Sequence, residues 1–95
     1  MTPAQRAYLR RLAHSLPVTV MIGKHGLTEN ILSKVEQELD AHELIKLRFI
    51  DYKDEKADLL ETIVSVTGAD LVAIIGHTAI FYRQHTDPTR RRIHL

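Results

Sequence analysis

Two rhythms of apolar residues run through this chain. Ala4, Tyr8 and Leu12 recur every four residues, with Leu9 and Leu16 widening the stripe, which is the period of one helix face. Its start is marked by Thr2-Pro3-Ala4-Gln5: Thr2 is placed as N-cap, Pro3 at the first helical position and Gln5 to close a capping box. Pro17 ends the helix, and Val18-Thr19-Val20-Met21-Ile22 is a β-branched run bounded by Gly23, which predicts a strand. Thr28 then caps a second helix with Ile31, Leu32, Val35 and Leu39 inward, ending near His42. Residues 44–50 switch to a period of two, with Ile45, Leu47 and Phe49 on one face and Lys46 and Arg48 on the other. A third helix is expected over 54–67, with Leu60, Ile63, Val64 and Thr67 inward and Gly68 as its stop. Strands over 71–75 and 79–83, joined at Gly76-His77, complete the order αβαβαββ.

Two crossover helices call for parallel pairing, and the final hairpin for antiparallel pairing. The pattern therefore predicts a single α/β domain over residues 1–85, with a mixed four-stranded sheet and three helices. Residues 86–95, with Arg90-Arg91-Arg92, read as a basic, flexible tail. No repeat or linker interrupts the chain.

Charge changes this picture more than composition does. The net +1 conceals three blocks: residues 1–28 carry four basic groups and no acid, residues 29–70 carry five basic against eleven acidic, and residues 71–95 carry four basic against Asp87 alone. If the fold joins the two ends, a basic face and an acidic face result, which suits a polyanion on one side. The absence of cysteine excludes disulfides, thiolate zinc sites, iron–sulfur ligation and a cysteine nucleophile. The longest apolar run, residues 71–75, is far short of the roughly 20 residues of a membrane span. A cytoplasmic setting and no membrane partner are expected.

Candidate chemistry centres on Gly23-Lys24-His25-Gly26, between a strand and a helix N-terminus. Paired glycines let backbone amides approach a sugar-phosphate, and Lys24 adds a point charge. A tight strand-to-helix turn would need the same glycines, and on the loop alone both readings stand. Arg6, Arg10 and Arg11 on the first helix would extend a clamp onto neighbouring phosphates; exposed helix arginines are also commonly just solvated. The Arg90-Arg91-Arg92 run suits a nonspecific phosphate hook and a solubilising tail equally.

Wider context favours contact. Gln5-Arg6-Ala7-Tyr8-Leu9-Arg10-Arg11-Leu12-Ala13-His14, Ile22-Gly23-Lys24-His25-Gly26-Leu27-Thr28, Ala41-His42-Glu43-Leu44-Ile45-Lys46-Leu47, Ile75-Gly76 and Phe81-Tyr82-Arg83 occur in one order and spacing. Over residues 2–83 the chain resembles the CRM domain, named for chloroplast RNA splicing and ribosome maturation, in its stand-alone bacterial YhbY-like form. The resemblance implies a compact α/β RNA-binding fold related to the C-terminal domain of translation initiation factor three, with the GxxG loop on RNA. It also implies an association with precursors of the large ribosomal subunit. Gly23, Lys24 and Gly26 carry the motif, and His25 fills its variable place. His77 departs from the longer basic or polar side chain that relatives often carry after Gly76, which weakens any RNA role for it.

The expected function is noncatalytic binding of ribosomal RNA in large-subunit precursors through the GxxG loop and a basic face. The expected contacts are Gly23, Lys24, His25, Gly26, Arg6, Arg10 and Arg11, and the protein is expected to be a monomer without cofactor or small-molecule substrate. Six histidines show no paired ligand spacing, so no metal site is expected; His14 and His42 are placed to meet helix-terminal carbonyls instead. Asp51, Asp54, Glu55 and Asp58 surround a turn and a helix start without a nucleophile or a phosphate-binding loop, so no enzyme is expected. The competing reading is an adaptor that binds a protein through the acidic middle block or the sheet face.

Overall fold

The computed structural model describes residues 1–50 and 56–95. Each of the first two helices starts where a hydroxyl caps it. The Thr2 hydroxyl accepts the Gln5 amide while the Gln5 side chain accepts the Thr2 amide, closing the capping box of α1 (Pro3–His14). Thr28 Oγ1 accepts the Ile31 amide at 3.2 Å and opens α2 (Glu29–His42). The third helix, α3 (Lys56–Thr67), stops at Gly68; its expected start at Asp54 lies outside the described residues, as do the carboxylates of Asp51, Asp54 and Glu55.

The strands are β1 (Val18–Ile22), β2 (Leu44–Phe49), β3 (Asp70–Ile75) and β4 (Thr78–Tyr82). They form one sheet in the order β1-β2-β4-β3, with β1 parallel to β2 and β4 antiparallel to both of its neighbours. The mixed four-stranded sheet is as expected. α3 carries the chain from β2 to the far edge, and β4 returns to fill the gap.

Alternation, interrupted by irregularities between Val18 and Val20 and between Leu71 and Ala73, sends the strands' side chains to two faces. Val20, Ile22, Ile45, Leu47, Phe49 and Phe81 face α2 and α3, where Val35, Leu39, Leu60 and Ile63 meet them in the main core. Leu44, Val72, Ile80 and Tyr82 face α1. On α1 the buried line is Leu9 and Ala13, flanked by Leu12 and Leu16, while Ala4 and Tyr8 are exposed. The expected Ala4–Tyr8–Leu12 stripe is thus displaced. A row of four-residue steps drifts by about 40° per step around a helix, whereas residues 9, 12, 13 and 16 follow the i, i+3, i+4, i+7 spacing that stays on one face.

The tail departs most from expectation. Residues 86–95 are laid against the domain, with a short 3₁₀ turn at Pro88–Arg90. The cause is Glu43, which is 1% exposed and sits at the start of β2. Its carboxylate accepts the amides of His85 at 2.7 Å, Arg92 at 2.6 Å and Ile93 at 3.0 Å. Burial pushes its carboxyl upward, but the three backbone N–H groups outweigh that and hold it below the usual carboxylate range. Ile93 joins Leu12 and Leu16 beside the α1 cluster, so the two ends of the chain do meet. Glu43 also takes a backbone φ of 64°, a strained setting for a side-chain-bearing residue that these hydrogen bonds help hold.

Candidate nucleic-acid interface

The GxxG loop follows directly from β1. The Gly26 amide donates to the Gly23 carbonyl at 3.0 Å, closing a four-residue turn, and Gly26 itself has φ 70°. Gly26 is therefore required by the turn. Gly23 is not: its φ is not left-handed, and a Cβ built there meets nothing within 4 Å. Neither the turn nor the packing demands glycine at 23, which leaves open space in front of the backbone there. Lys24 and His25 are exposed at the tip of the turn, and Glu29 in the first turn of α2 offsets part of the helix dipole.

On the α1 side of the sheet, Arg10 and Arg11 are exposed without an ion-pair partner among the described residues. Arg6 is also exposed, but one of its amino groups donates to the carbonyls of Leu71 at 2.6 Å and Val72 at 2.9 Å. It thereby ties α1 to the irregular stretch of β3, where the pairing with β4 slips between Leu71 and Ala73. Lys46 is spent likewise: its ammonium donates to the carbonyls of His14 and Leu16 at the end of α1. His14 and His42 do not take the carbonyl-capping role expected of them. Lys46 holds the His14 carbonyl, and His42 pairs with Glu38 at 3.3 Å.

Arg10 and His14 overhang a groove of about 300 Å³ floored by Lys46, Ile75, Thr78 and Ile80. A wider groove, about 540 Å³, continues along α1 past Arg6, Ala7, Arg11 and Val72. Among the described residues neither is lined by a carboxylate. Most acids among the described residues lie in the opposite layer, with Glu29, Glu36, Glu38 and Asp40 on α2 and Asp58 and Glu61 on α3, whereas Asp70 pairs opposite Tyr82 on the α1 side. The helices thus differ in net charge, α1 carrying three arginines and no acid and α2 and α3 together six acids against Lys34 and Lys56.

Arg83, Tyr82 and the Arg90-Arg91-Arg92 run are placed elsewhere. Arg83 bridges Glu36 at 2.7 Å and Asp40 at 2.8 Å and donates to the Thr67 carbonyl, so its charge is locally compensated. Tyr82 is core, with burial and then the Glu43 carboxylate pushing its phenol upward. Arg90-Arg91-Arg92 sits at the start of β2, the end of the sheet opposite the GxxG loop, and Arg91 donates to the His85 carbonyl. Below α1 lies an apolar recess of about 370 Å³ between Leu12, Leu16, Leu44 and Ile93, with the buried hydroxyl of Thr19 unpartnered at its wall. Among the described residues no three His, Cys, Asp or Glu side chains gather as a metal site, and no helix is long and apolar enough to cross a membrane. Sequence reasoning missed Glu43; an acid placed where a helix ends and a strand begins is its only local mark.

A three-helix α/β domain with a GxxG turn after β1 and basic grooves along α1 is the class that this fold and surface define. The model of the CRS1/YhbY (CRM) domain matches residues 1–83, and the chain belongs to that family. It is 38% identical over 84 residues to a Haemophilus influenzae protein named RNA-binding protein, covering 87% of this chain and 85% of that one. It is 32% identical over 85 residues, 88% of each chain, to the Bacillus subtilis protein named Probable RNA-binding protein YqeI. The solution structure of SAV1595 from Staphylococcus aureus, described as an RNA-binding candidate, superposes with a TM-score of 0.79 at 33% identity over 98% of both chains.

Proposed function

We propose that the protein is a noncatalytic, monomeric, cytoplasmic RNA-binding protein that engages ribosomal RNA of large-subunit precursors. The contact surface is the GxxG loop, Gly23, Lys24, His25 and Gly26, together with Arg10 and Arg11. Arg6 contributes chiefly by fixing α1 in place. One observation carries the reading: among the described residues no carboxylate lines the grooves beside α1 or stands within residues 23–26, while α2 and α3 carry six acids against two lysines. A polyanion is attracted to one side and repelled from the other, which orients its approach. The names of the relatives support RNA as that polyanion.

Sedimentation of cell extracts tests the reading. The protein is expected to travel with large-subunit precursors at low salt and to leave them at high salt, because screened phosphate contacts hold it. Sequencing of RNA crosslinked to it in cells should return large-subunit ribosomal RNA. Comigration indifferent to salt, or crosslinks without ribosomal RNA, would contradict it.

A further inference from the structure

The sheet face that α1 leaves uncovered has a composition that phosphate binding does not explain. α1 crosses only part of that face. Beyond its Arg10 and His14 flank, the strand register places Met21, Arg48, Thr78 and Ile75 side by side across all four strands, one residue from each. Met21 is 56% exposed and Ile75 48% exposed. The neighbours of Met21 in sequence, Val20 and Ile22, are buried, so strand alternation alone would lead one to expect a polar residue at position 21. Arg48 lies between the apolar positions, exposed, and makes no ion pair or hydrogen bond among the described residues. At one end of the row, Met21 is two residues from Gly23; at the other, Ile75 and Thr78 floor the groove under Arg10.

We infer that this row is a platform for unpaired nucleotides, taking base faces on Met21, Arg48 and Ile75 while the GxxG loop and Arg10 hold the flanking phosphates. The inference rests on the RNA-binding reading and deepens it by naming the form of RNA. Charge complementarity favours RNA as the occupant, since Lys24 and Arg10 flank the row and, among the described residues, no carboxylate lines the groove beside it. The apolar and planar content favours unpaired nucleotides over a duplex. A duplex offers phosphates and hydroxyls but keeps its base faces stacked, whereas unpaired bases splay onto apolar side chains and guanidinium planes. Arg48 contributes as a plane and not only as a charge, which a lysine would not reproduce.

The full chain is titrated by fluorescence anisotropy with two probes, a labelled ten-nucleotide oligoadenylate and a labelled blunt ten-base-pair RNA duplex. Wild type is expected to prefer the single strand. Arg48→Lys should weaken single-strand binding about tenfold, within the measured range for one stacked base, and leave duplex binding within about twofold. Met21→Ser should weaken single-strand binding severalfold, and both substitutions are at exposed positions where folding is undisturbed. If Arg48→Lys and Met21→Ser bind the single strand like wild type, or if wild type prefers the duplex, the platform is wrong while RNA binding by the loop stands. If wild type binds neither probe, both readings fall. Sedimentation equilibrium of the same proteins adds a further contrary outcome: a wild-type dimer that Met21→Ser dissociates would make the row a self-association surface.

Discussion

A carboxylate that is 1% exposed and accepts three backbone N–H groups is costly to bury and more costly to remove. Glu43→Ala leaves those amides without their partner and should destabilise the fold by about 2–4 kcal/mol, at the upper end of single-site effects. The sign of the pH dependence follows from its lowered pKa. The folded protein holds the proton less tightly than the unfolded chain, so the stabilisation is complete above the ordinary value of 4.5 and is lost as pH falls through the lower folded value. Thermal melts from pH 7 to pH 3 should show wild type losing stability below about 4.5 and Glu43→Gln, already weaker at pH 7, losing less. Parallel curves would refute the role. Arg6 gives a second contrast: Arg6→Ala frees two β3 carbonyls and should cost about 1 kcal/mol, whereas Arg10→Ala should stay within about 0.5 kcal/mol. Equal melting temperatures for the two variants would show that the Arg6 bridge contributes nothing.

The tail is the element for which the structure reverses the expected outcome. As a flexible arginine segment, residues 86–95 would be removable without thermal consequence. Because Arg92 and Ile93 donate to Glu43 and Ile93 packs beside Leu12, deletion should lower the unfolding free energy by about 2–3 kcal/mol. RNA affinity should fall no more than about tenfold, since the arginine run lies at the far end of the sheet from Lys24. A truncated protein that melts like wild type would restore the flexible-tail picture. The helices and strands themselves were legible because their signals are local: Thr2 and Thr28 cap, Pro17 and Gly68 stop, and residues 44–49 alternate. The tail was not, because its anchor is a long-range pairing that no periodicity carries. The same holds for Lys46, Arg6 and Arg83, whose basic side chains look alike in sequence and differ only in which carbonyl or carboxylate stands nearby. The GxxG loop lies between the two cases, since its glycines were visible while the open space at Gly23 was not.

At the scale of the molecule, a nearly neutral chain carries net positive charge on α1 over one sheet face and net negative charge on α2 and α3 over the other. Arg10→Glu combined with Arg11→Glu reverses the sign on the α1 flank without touching the core. It should weaken RNA binding at least tenfold while leaving circular dichroism and melting unchanged, and a folded variant that binds normally would remove α1 from the interface. The measurement that tests the central claim most directly is a titration with large-subunit ribosomal RNA fragments over a range of salt, using wild type and the double variant Lys24→Asp/His25→Asp. Both glycines are kept, so the turn closed by Gly26 persists, and circular dichroism verifies folding. Wild type should lose affinity with a log–log salt slope of roughly −3 to −5, as expected for about five neutralised phosphates. Two negative charges at the clamp remove one contact and add repulsion worth about 1–2 kcal/mol each at a partly screened surface. The variant should therefore bind at least about thirtyfold more weakly, with a slope shallower by about one. A folded variant with wild-type affinity and slope would contradict the account, leaving the GxxG segment as a turn and nothing more.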